Sequence, residues 1–252
     1  MPRHARLLIS TLAAAAILLP CASASAGVYG GSTDQYDAFV LITKPKTLRP
    51  KTFVIGLRLS CNSGASVAVN RSFPIAEFNP VSLLPSGRFS AVRTQTTGAG
   101  RLQMTITGRI GHRFASGRLK VTLTGGDTCT STPLGWTALR SPGRIYAGAT
   151  SQEEPVVIQR SGKRIEHVDI DWHADCTPSG YVHIPDELND LPLKATGAFG
   201  VYRRATDGTG RWNRAFRGIL RRTSGSGTYQ VRLARSGNSC STPLISWNVA
   251  TG

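Results

Sequence analysis

The chain has 252 residues and a formal net charge of +16, with 30 lysines and arginines against 14 aspartates and glutamates. This length suits one large domain or two of ordinary size. The basic residues are spread without a compact run, which favours a generally cationic surface over a dedicated site for a polyanion such as an anionic surface, an acidic glycan or nucleic acid.

The beginning of the chain has the features of a secretory signal peptide. Arginines precede an apolar run over residues 7–19, and overlapping Ala-Ser-Ala sequences supply a small-residue cleavage site. We therefore predict a signal peptide over residues 1–26 and a secreted protein. The apolar run is too short to span a bilayer, so we expect no transmembrane segment. An alternative is a lipid anchor at Cys21, although Pro20 stands where a bacterial lipobox has a small residue.

The remainder of the chain is a tandem repeat. The motif Tyr-x-Gly-x-Thr-x-Gln occurs at residues 29–35 and again at 146–152. Later matches keep the same order, among them Gly87-Arg-Phe89 with Gly197-Ala-Phe199, Ser-Thr-Pro-Leu at 131–134 and 241–244, and Trp136 with Trp247. The period of about 115 residues is far longer than a solenoid unit of 20–50 residues. We predict two domains, over residues 27–141 and 142–252, joined by a short Ser-Pro-Gly segment.

Within the first repeat, short runs with apolar alternation predict about seven strands. They are Phe39–Thr43, Phe53–Ser60, Ser66–Val69, Arg88–Thr94, Arg101–Arg109, Gly117–Leu123 and Leu134–Ala138. Turns rich in glycine and proline separate them, and no longer stretch has helical spacing. The pattern predicts an all-β fold of two tandem antiparallel β-sandwich or jelly-roll-like domains. In the second repeat, Pro185-Asp-Glu-Leu-Asn189 favours one helical turn, because proline and acids suit a helix start.

Four cysteines follow the predicted leader, at Cys61, Cys129, Cys176 and Cys240. In an oxidising compartment they indicate two disulfides, for which spacing alone allows three connectivities. The repeat favours Cys61–Cys129 and Cys176–Cys240, which places one disulfide in each domain. No two of these cysteines stand close together as in a zinc knuckle, which argues against a metal site built from them.

The repeated pattern resembles a group of uncharacterised secreted proteins of high-GC bacteria that have tandem β-sandwich domains. The shared features are the Tyr-x-Gly-x-Thr-x-Gln start, a mid-strand cysteine, Gly-x-Phe, an Ala-Ser-Gly turn, and a late cysteine followed by tryptophan. Ala115-Ser-Gly117 keeps that turn, whereas Gly225-Ser-Gly227 departs from it. The resemblance covers nearly all of both repeats and implies an extracellular location. It implies no activity and no catalytic residue.

The repeats differ most in the strand Val168–Cys176. Alternation places its apolar residues on the core side and five ionisable residues on the other side: His167, Asp169, Asp171, His173 and Asp175. These side chains could bind a ligand or a metal ion such as Ca²⁺, or act as the acid and base of a glycosidase. The competing interpretation is structural pairing across strands with arginines, the candidates being Arg203, Arg217, Arg221, Arg232 and Arg235.

No motif in the chain specifies one chemistry. The glycine-rich segments lie between strands and lack the helix N-terminus of a phosphate loop, and no Gly-x-Ser-x-Gly elbow occurs. We therefore expect a secreted, non-catalytic binding or surface-interaction protein without a cofactor, whose partner is an extracellular or cell-envelope glycan or another polymer. The alternative is a secreted hydrolase of the glycosidase type that uses the acidic strand.

Overall fold

The computed structural model describes residues 26–78, 81–178, 180–208, 210–235 and 237–252. In this part of the chain the regular structure is antiparallel β-sheet, apart from one 3-10 turn at Ile75–Glu77. The predicted all-β fold is therefore confirmed. The predicted signal peptide, except for its last residue, and Cys21 lie outside the described residues. The described residues contain no helix with the length and hydrophobicity needed to span a lipid bilayer.

The first sheet lies within residues 28–139, which we call the first unit. Its strands are β1 (Val28–Thr33), β2 (Ala38–Thr43), β3 (Pro50–Cys61), β4 (Ser66–Pro74), β5 (Val81–Leu83), β6 (Arg88–Thr97), β7 (Gly100–Ile110), β8 (Phe114–Thr124), β9 (Thr128–Thr130) and β10 (Leu134–Leu139). Each strand predicted from the sequence lies inside one of these. Sequence alternation did not indicate β1, β5 or β9, because β5 and β9 are very short and β1 is rich in glycine.

The second sheet lies within residues 145–250, the second unit. Its strands are β11 (Ile145–Thr150), β12 (Pro155–Ser161), β13 (Arg164–Thr177), β14 (Tyr181–Pro192), β15 (Ala198–Asp207), β16 (Gly210–Leu220), β17 (Ser224–Arg235), β18 (Asn238–Ser241) and β19 (Ile245–Ala250). The helical turn predicted at Pro185–Asn189 is wrong, because this segment lies in the middle of β14. Pairing with β13 and burial of Leu188 outweigh the local helix-start signal.

Each sheet closes on itself in a ring of six strands. In the first unit the order is β10-β1-β2-β3-β9-β8, and β8 pairs back with β10. In the second unit the order is β13-β12-β11-β19-β17-β18, and β18 pairs back with β13. The remaining strands extend these rings, so that β15 and β16 continue outward from β17. The closure of each ring depends on pairs of strands that are distant in the sequence, and the local alternation of apolar residues does not reveal such pairs.

The cores occupy the inner side of each closed sheet and follow the predicted alternation. Ile55 and Leu57 of β3 are fully buried, and so is Trp172 of β13. The repeated Trp136 is likewise core, since its ring fills the space left by a glycine in the neighbouring strand. A Cβ at Gly117 would lie 2.6 Å from Trp136 Cζ2. Trp247 occupies the equivalent position in the second unit.

Both predicted disulfides are present. Cys61 is bonded to Cys129 and Cys176 to Cys240, with S–S distances of 2.04 and 2.05 Å. Each joins two residues that are direct partners in the sheet, on β3 and β9 in the first unit and on β13 and β18 in the second. Because β9 and β18 bridge two longer strands of each ring, the disulfides lie where the rings close.

The two units contact each other through β1 and β2 of the first and β11 and β12 of the second. Small apolar side chains form a separate buried cluster at this junction: Val28, Ala38, Val40, Val54, Ala147 and Val157. The backbones approach closely at Gly30, where a Cβ would lie 2.7 Å from Val157 Cγ1. The domain boundary predicted between residues 141 and 142 falls in the connection between β10 and β11.

Candidate functional site

The five ionisable residues predicted as one face of β13 lie in three different environments. Asp171, in the middle of the strand, is fully buried against the first unit. His167 and Asp169 are half-buried at one end, whereas Asp175 is exposed at the other. The strand therefore does not present a continuous open row of ligands.

At the first end, His167 and Asp169 bond to each other. His167 Nε2 lies 2.7 Å from Asp169 Oδ1, and His167 Nδ1 lies 2.6 Å from Asn189 Oδ1. Burial raises the pKa of Asp169, and the adjacent His167 only partly offsets this. Burial lowers the pKa of His167, but the Asn189 hydrogen bond and the Asp169 charge raise it overall. This histidine and carboxylate are therefore already partnered.

The arginine pairs expected from the sequence are not formed by this strand. Among the described residues, no salt bridge joins β13 to any of the five predicted arginines: Arg203, Arg217, Arg221, Arg232 and Arg235. Arg203 instead donates to the backbone carbonyl of Asn189 at 2.6 Å, and Arg217 donates to Thr228 Oγ1 at 3.1 Å. Four of these arginines lie on β15, β16 and β17, and Arg221 lies in the connection between β16 and β17.

A buried group of ionisable side chains lies between the two units, and we call it the junction cluster: Asp37, Glu154, Asp171 and His183. Asp37 precedes β2, Glu154 precedes β12 at the corresponding point of the second unit, and Asp171 and His183 project from β13 and β14. The three acids have no exposed surface, and His183 is 8 % exposed. One of these four residues belongs to the first unit, and the other three belong to the second.

The junction cluster has few hydrogen bonds for its number of polar atoms. The backbone N–H of Ala38 donates to Asp171 Oδ1 at 3.2 Å, and His173 Nδ1 lies 2.8 Å from Glu154 Oε1. Among the described residues, no hydrogen-bond partner is present for Asp37 Oδ1 and Oδ2, Glu154 Oε2, Asp171 Oδ2 or either ring nitrogen of His183. One ligand atom each from Asp37, Asp171 and His183 lies within 4.8 Å of the other two. These three polar atoms, from two units, therefore lie close together in the buried junction.

The electrostatics of the junction cluster reflect crowding of acids away from water. Burial raises the pKa of Asp37 to about 6, although His183 and Arg58 lower it, and the charge of Glu154 raises it further. Burial also holds the pKa of Asp171 well above its ordinary value, and the charges of Asp37 and Glu154 raise it further. The carboxylates thus lack enough positive charge from the protein to offset their desolvation.

Two glutamines of the repeated motif position the strands that form the cluster. Gln152 binds the backbone of His173, donating to its carbonyl at 2.8 Å and accepting from its N–H at 3.2 Å. Gln35 makes the same pair of bonds to Arg58, at 3.1 and 3.0 Å. Arg58 and His173 therefore occupy corresponding positions, and each also stands three residues before the first cysteine of its unit.

The same correspondence shows how the two units differ at their junction. Gly56 stands two residues before Arg58 in the first unit, and Asp171 stands two residues before His173 in the second. Ala68 pairs with Arg58 across the sheet of the first unit, whereas His183 pairs with His173 across the sheet of the second. The second unit thus supplies ionisable side chains at two positions where the first unit has only small residues.

Of the junction cluster, only Asp171 was predicted as a site residue. Asp37, Glu154 and His183 were missed because they lie on separate segments. A signal was nevertheless available, since Asp37 follows Gln35 by two residues and Glu154 follows Gln152 by the same interval. The repeat therefore keeps a carboxylate at the same point in both halves.

A groove of about 380 Å³ opens beside the junction cluster and is bounded by both units. Arg58 and Ala68 contribute from the first unit, and Tyr181, His183 and Trp212 contribute from the second. His183 is thus the cluster member that borders the groove. The Tyr181 ring stacks on His173 with centroids 5.7 Å apart, which covers the same edge of the cluster.

A second feature is the outer face of β15, β16 and β17, away from the core. Residues that are paired across the three strands form rows on this face. One row contains Thr206, Arg211 and Ala234, the next Arg204, Asn213 and Arg232, and the third Tyr202, Ala215 and Gln230. Arg204, Arg211 and Arg232 line a groove of about 680 Å³ together with Tyr202, which is 59 % exposed. None of these positions holds an acid. We call this surface the outer arginine face.

The first unit presents a comparable surface on β6, β7 and β8. One of its rows contains Thr96, Arg101 and Thr124, the next Thr94, Gln103 and Thr122, and the third Val92, Thr105 and Lys120. This face also lacks acids but has fewer cations and more threonines than the outer arginine face. Both units thus combine a cationic or neutral hydrogen-bonding outer face with an apolar inner face.

No protein-family model matches this chain, and the search of curated proteins likewise finds no match. Among solved structures, the chain is similar to one described as a putative outer membrane protein from Bacteroides fragilis. The two are 11 % identical, with a TM-score of 0.28, over 90 % of this chain and 96 % of the other.

Proposed function

We propose that this is a secreted, non-catalytic binding protein whose target is an anionic extracellular or cell-envelope glycan. The observation that carries this proposal is the outer arginine face. Three arginines line one groove there, and no acid stands in the aligned rows to neutralise them. Two disulfides also suit an oxidising compartment, which supports secretion.

The arrangement of the outer arginine face suits a carboxylate-bearing or sulfate-bearing polymer. A guanidinium presents several N–H donors in a fixed plane and binds oxyanions in bidentate fashion. The side chain of Arg204 is held in place, because its Nε donates to the Tyr202 hydroxyl at 3.2 Å. The Arg204 guanidinium also lies over the Tyr202 ring, 5.4 Å from its centroid, and the exposed remainder of that ring offers a flat apolar surface on which a sugar ring can stack.

The carboxylates of the second unit are poorly placed for glycoside hydrolysis. Most glycosidases use two carboxyl groups that flank a bound sugar. Asp171 is fully buried and Asp169 is bonded to His167, whereas the outer arginine face contains no carboxylate. We therefore favour binding without turnover, and retain hydrolysis as an outcome that the experiment can detect.

The test is isothermal titration calorimetry with polygalacturonate, using dextran of similar length as the neutral control. We expect binding to polygalacturonate alone, weakened about tenfold or more in Arg204→Gln/Arg232→Gln and reduced at high salt, because exposed charges are screened. Lys44→Gln/Arg49→Gln removes the same charge from an exposed turn and should bind almost normally. Equal weakening by both double variants would show that only net charge matters.

Two further outcomes would replace the proposal. Binding to duplex DNA at least as tight as to polygalacturonate would identify a general polyanion-binding surface. Release of reducing sugar ends that Asp169→Asn or Asp171→Asn abolishes would identify a hydrolase.

A further inference from the structure

We propose that the junction cluster is a binding site for one divalent transition-metal ion of the zinc class, which joins the two units. The ligands are Asp37 of the first unit and Asp171 and His183 of the second, with Glu154 as the adjacent carboxylate. This site is separate from the outer arginine face, so that the two proposals can fail independently.

The first argument is the number of buried polar atoms without partners. A buried carboxylate is costly unless it is paired, hydrogen-bonded or bound to a metal. Asp37 has no exposed surface, and neither of its carboxylate oxygens has a hydrogen-bond partner in the described part of the chain. Asp171 Oδ2, Glu154 Oε2 and both nitrogens of His183 also lack a hydrogen bond to any described residue, and His183 Nε2 and Glu154 Oε2 form only a long ion pair of 3.6 Å. A cation at their centre would satisfy several of these atoms at once.

The second argument is convergence. The ligand atoms of Asp37, Asp171 and His183 lie within 4.8 Å of one another. Ligand atoms on a tetrahedral zinc ion stand about 3.3 Å apart. Small side-chain rotations would close the remaining gap, since Asp171 is held through only one of its oxygens, by Ala38 N–H. His183 Nε2 lies 3.6 Å from Glu154 Oε2, too far for a hydrogen bond but within reach of a shared metal.

The third argument concerns which ion is favoured. Zinc and neighbouring transition metals accept imidazole nitrogen together with carboxylate oxygen, whereas Ca²⁺ and Mg²⁺ prefer oxygen ligands alone. His183 therefore favours zinc over calcium. Because the three carboxylates have no exposed surface, the geometry points to a structural ion between the units.

The experiment uses the full secreted chain with its disulfides intact, after treatment with a chelator. We expect calorimetry to find one Zn²⁺ per chain, and we expect Zn²⁺ to raise the melting temperature while Ca²⁺ at the same concentration leaves it unchanged. Asp37→Asn keeps the side-chain shape and should weaken Zn²⁺ binding at least a hundredfold. His183→Gln should do the same.

The control is His167→Gln, which alters the other histidine and carboxylate group of β13, formed with Asp169 and Glu187. It should leave the Zn²⁺ affinity and stoichiometry unchanged. Without metal, Asp37→Asn should melt at or above the wild-type temperature, because it removes one of three crowded buried acids. This measurement also shows that the variant is folded.

Several results would overturn the proposal. One is less than one Zn²⁺ per chain, and another is equal stabilisation of the wild type and Asp37→Asn by Zn²⁺. A metal-free Asp37→Asn that melts well below the wild type would mean that the protein already satisfies this carboxylate, by sharing protons within the cluster. Loss of binding in His167→Gln would place the ion at the other end of β13.

Discussion

Gly56 of the first unit lies directly against Asp171 of the second, the residue that occupies its corresponding position. A Cβ on Gly56 would lie 2.4 Å from Asp171 Oδ2 and 3.1 Å from His183 Nε2. The absence of a side chain on one unit therefore provides the space that the ionisable side chains of the other unit occupy.

The first prediction follows from this contact. Gly56→Ala should lower the free energy of unfolding by ~1–3 kcal/mol, because its methyl group overpacks the buried junction. It should also weaken any metal binding by the junction cluster, since Asp171 must move. Urea unfolding and a Zn²⁺ titration measure the two effects. Gly98→Ala is the control, because a Cβ at Gly98 meets nothing within 4 Å.

The second prediction concerns Gln152, which makes two hydrogen bonds to the backbone of His173. Gln152→Ala should cost ~1–3 kcal/mol of stability, because both backbone groups lose a partly buried partner. Chemical denaturation would measure the loss. Gln103→Ala is the control, since Gln103 is exposed on β7 and its replacement should change stability by less than ~0.5 kcal/mol. Equal effects of the two substitutions would contradict a positioning role for Gln152.

The third prediction is a pH dependence set by Asp186 in the core of the second unit. The hydroxyl of Tyr229 donates to Asp186 Oδ2, and Arg214 Nε lies 3.0 Å from the same oxygen. Burial raises the pKa of Asp186, although Tyr229 and Arg214 lower it, while the nearby charge of Glu187 raises it. The folded protein therefore binds this proton more tightly than the unfolded chain does.

The direction in which stability changes with pH follows from this pKa difference. The contribution of Asp186 protonation to stability is fully present below the unfolded pKa of about 4 and is lost as pH rises through the folded value. The stability of the wild type relative to Asp186→Asn should therefore increase as pH falls from 7 towards 4. Urea unfolding of both proteins across this range provides the test. A relative stability that rises with pH would show that Arg214 dominates.

The fourth prediction concerns the disulfides. Cys61→Ala/Cys129→Ala opens a 68-residue loop in the first unit and should cost ~4 kcal/mol in the chain-entropy model. The second unit keeps Cys176–Cys240, so calorimetry should show one transition shifted down and one little changed. Peptide mapping of that variant should recover Cys176 still joined to Cys240. An equal decrease in the melting temperature of both units would show that they unfold together.

The sequence was most informative where residues follow a local rule. Alternation in Phe53–Ser60 placed Ile55 and Leu57 in the core, and both are fully buried. The repeat selected the correct disulfides, since it paired cysteines at matching points of each half. In contrast, Pro185–Asn189 carries a local helix-start signal that long-range pairing with β13 overrides.

The candidate site was harder to predict for a physical reason. Alternation shows that Asp171 points away from the core of its own unit, but it does not show what lies on that side. The first unit covers Asp171 and brings Asp37 to it, although 134 positions separate the two residues in a chain of 252. Burial and raised pKa values arise from that contact, which has no local sequence pattern.

The placement of the disulfides has a consequence for association between molecules of this protein. Strands β9 and β18 span three and four residues, so each ring is sealed at that point by few backbone hydrogen bonds. If the seam opened, β3 and β8 of the first unit would expose unpaired N–H and C=O groups, and so would β13 and β17 of the second. Such free edges recruit strands from other molecules and start aggregation. The two cystines thus also protect against intermolecular strand exchange at the points where the rings close.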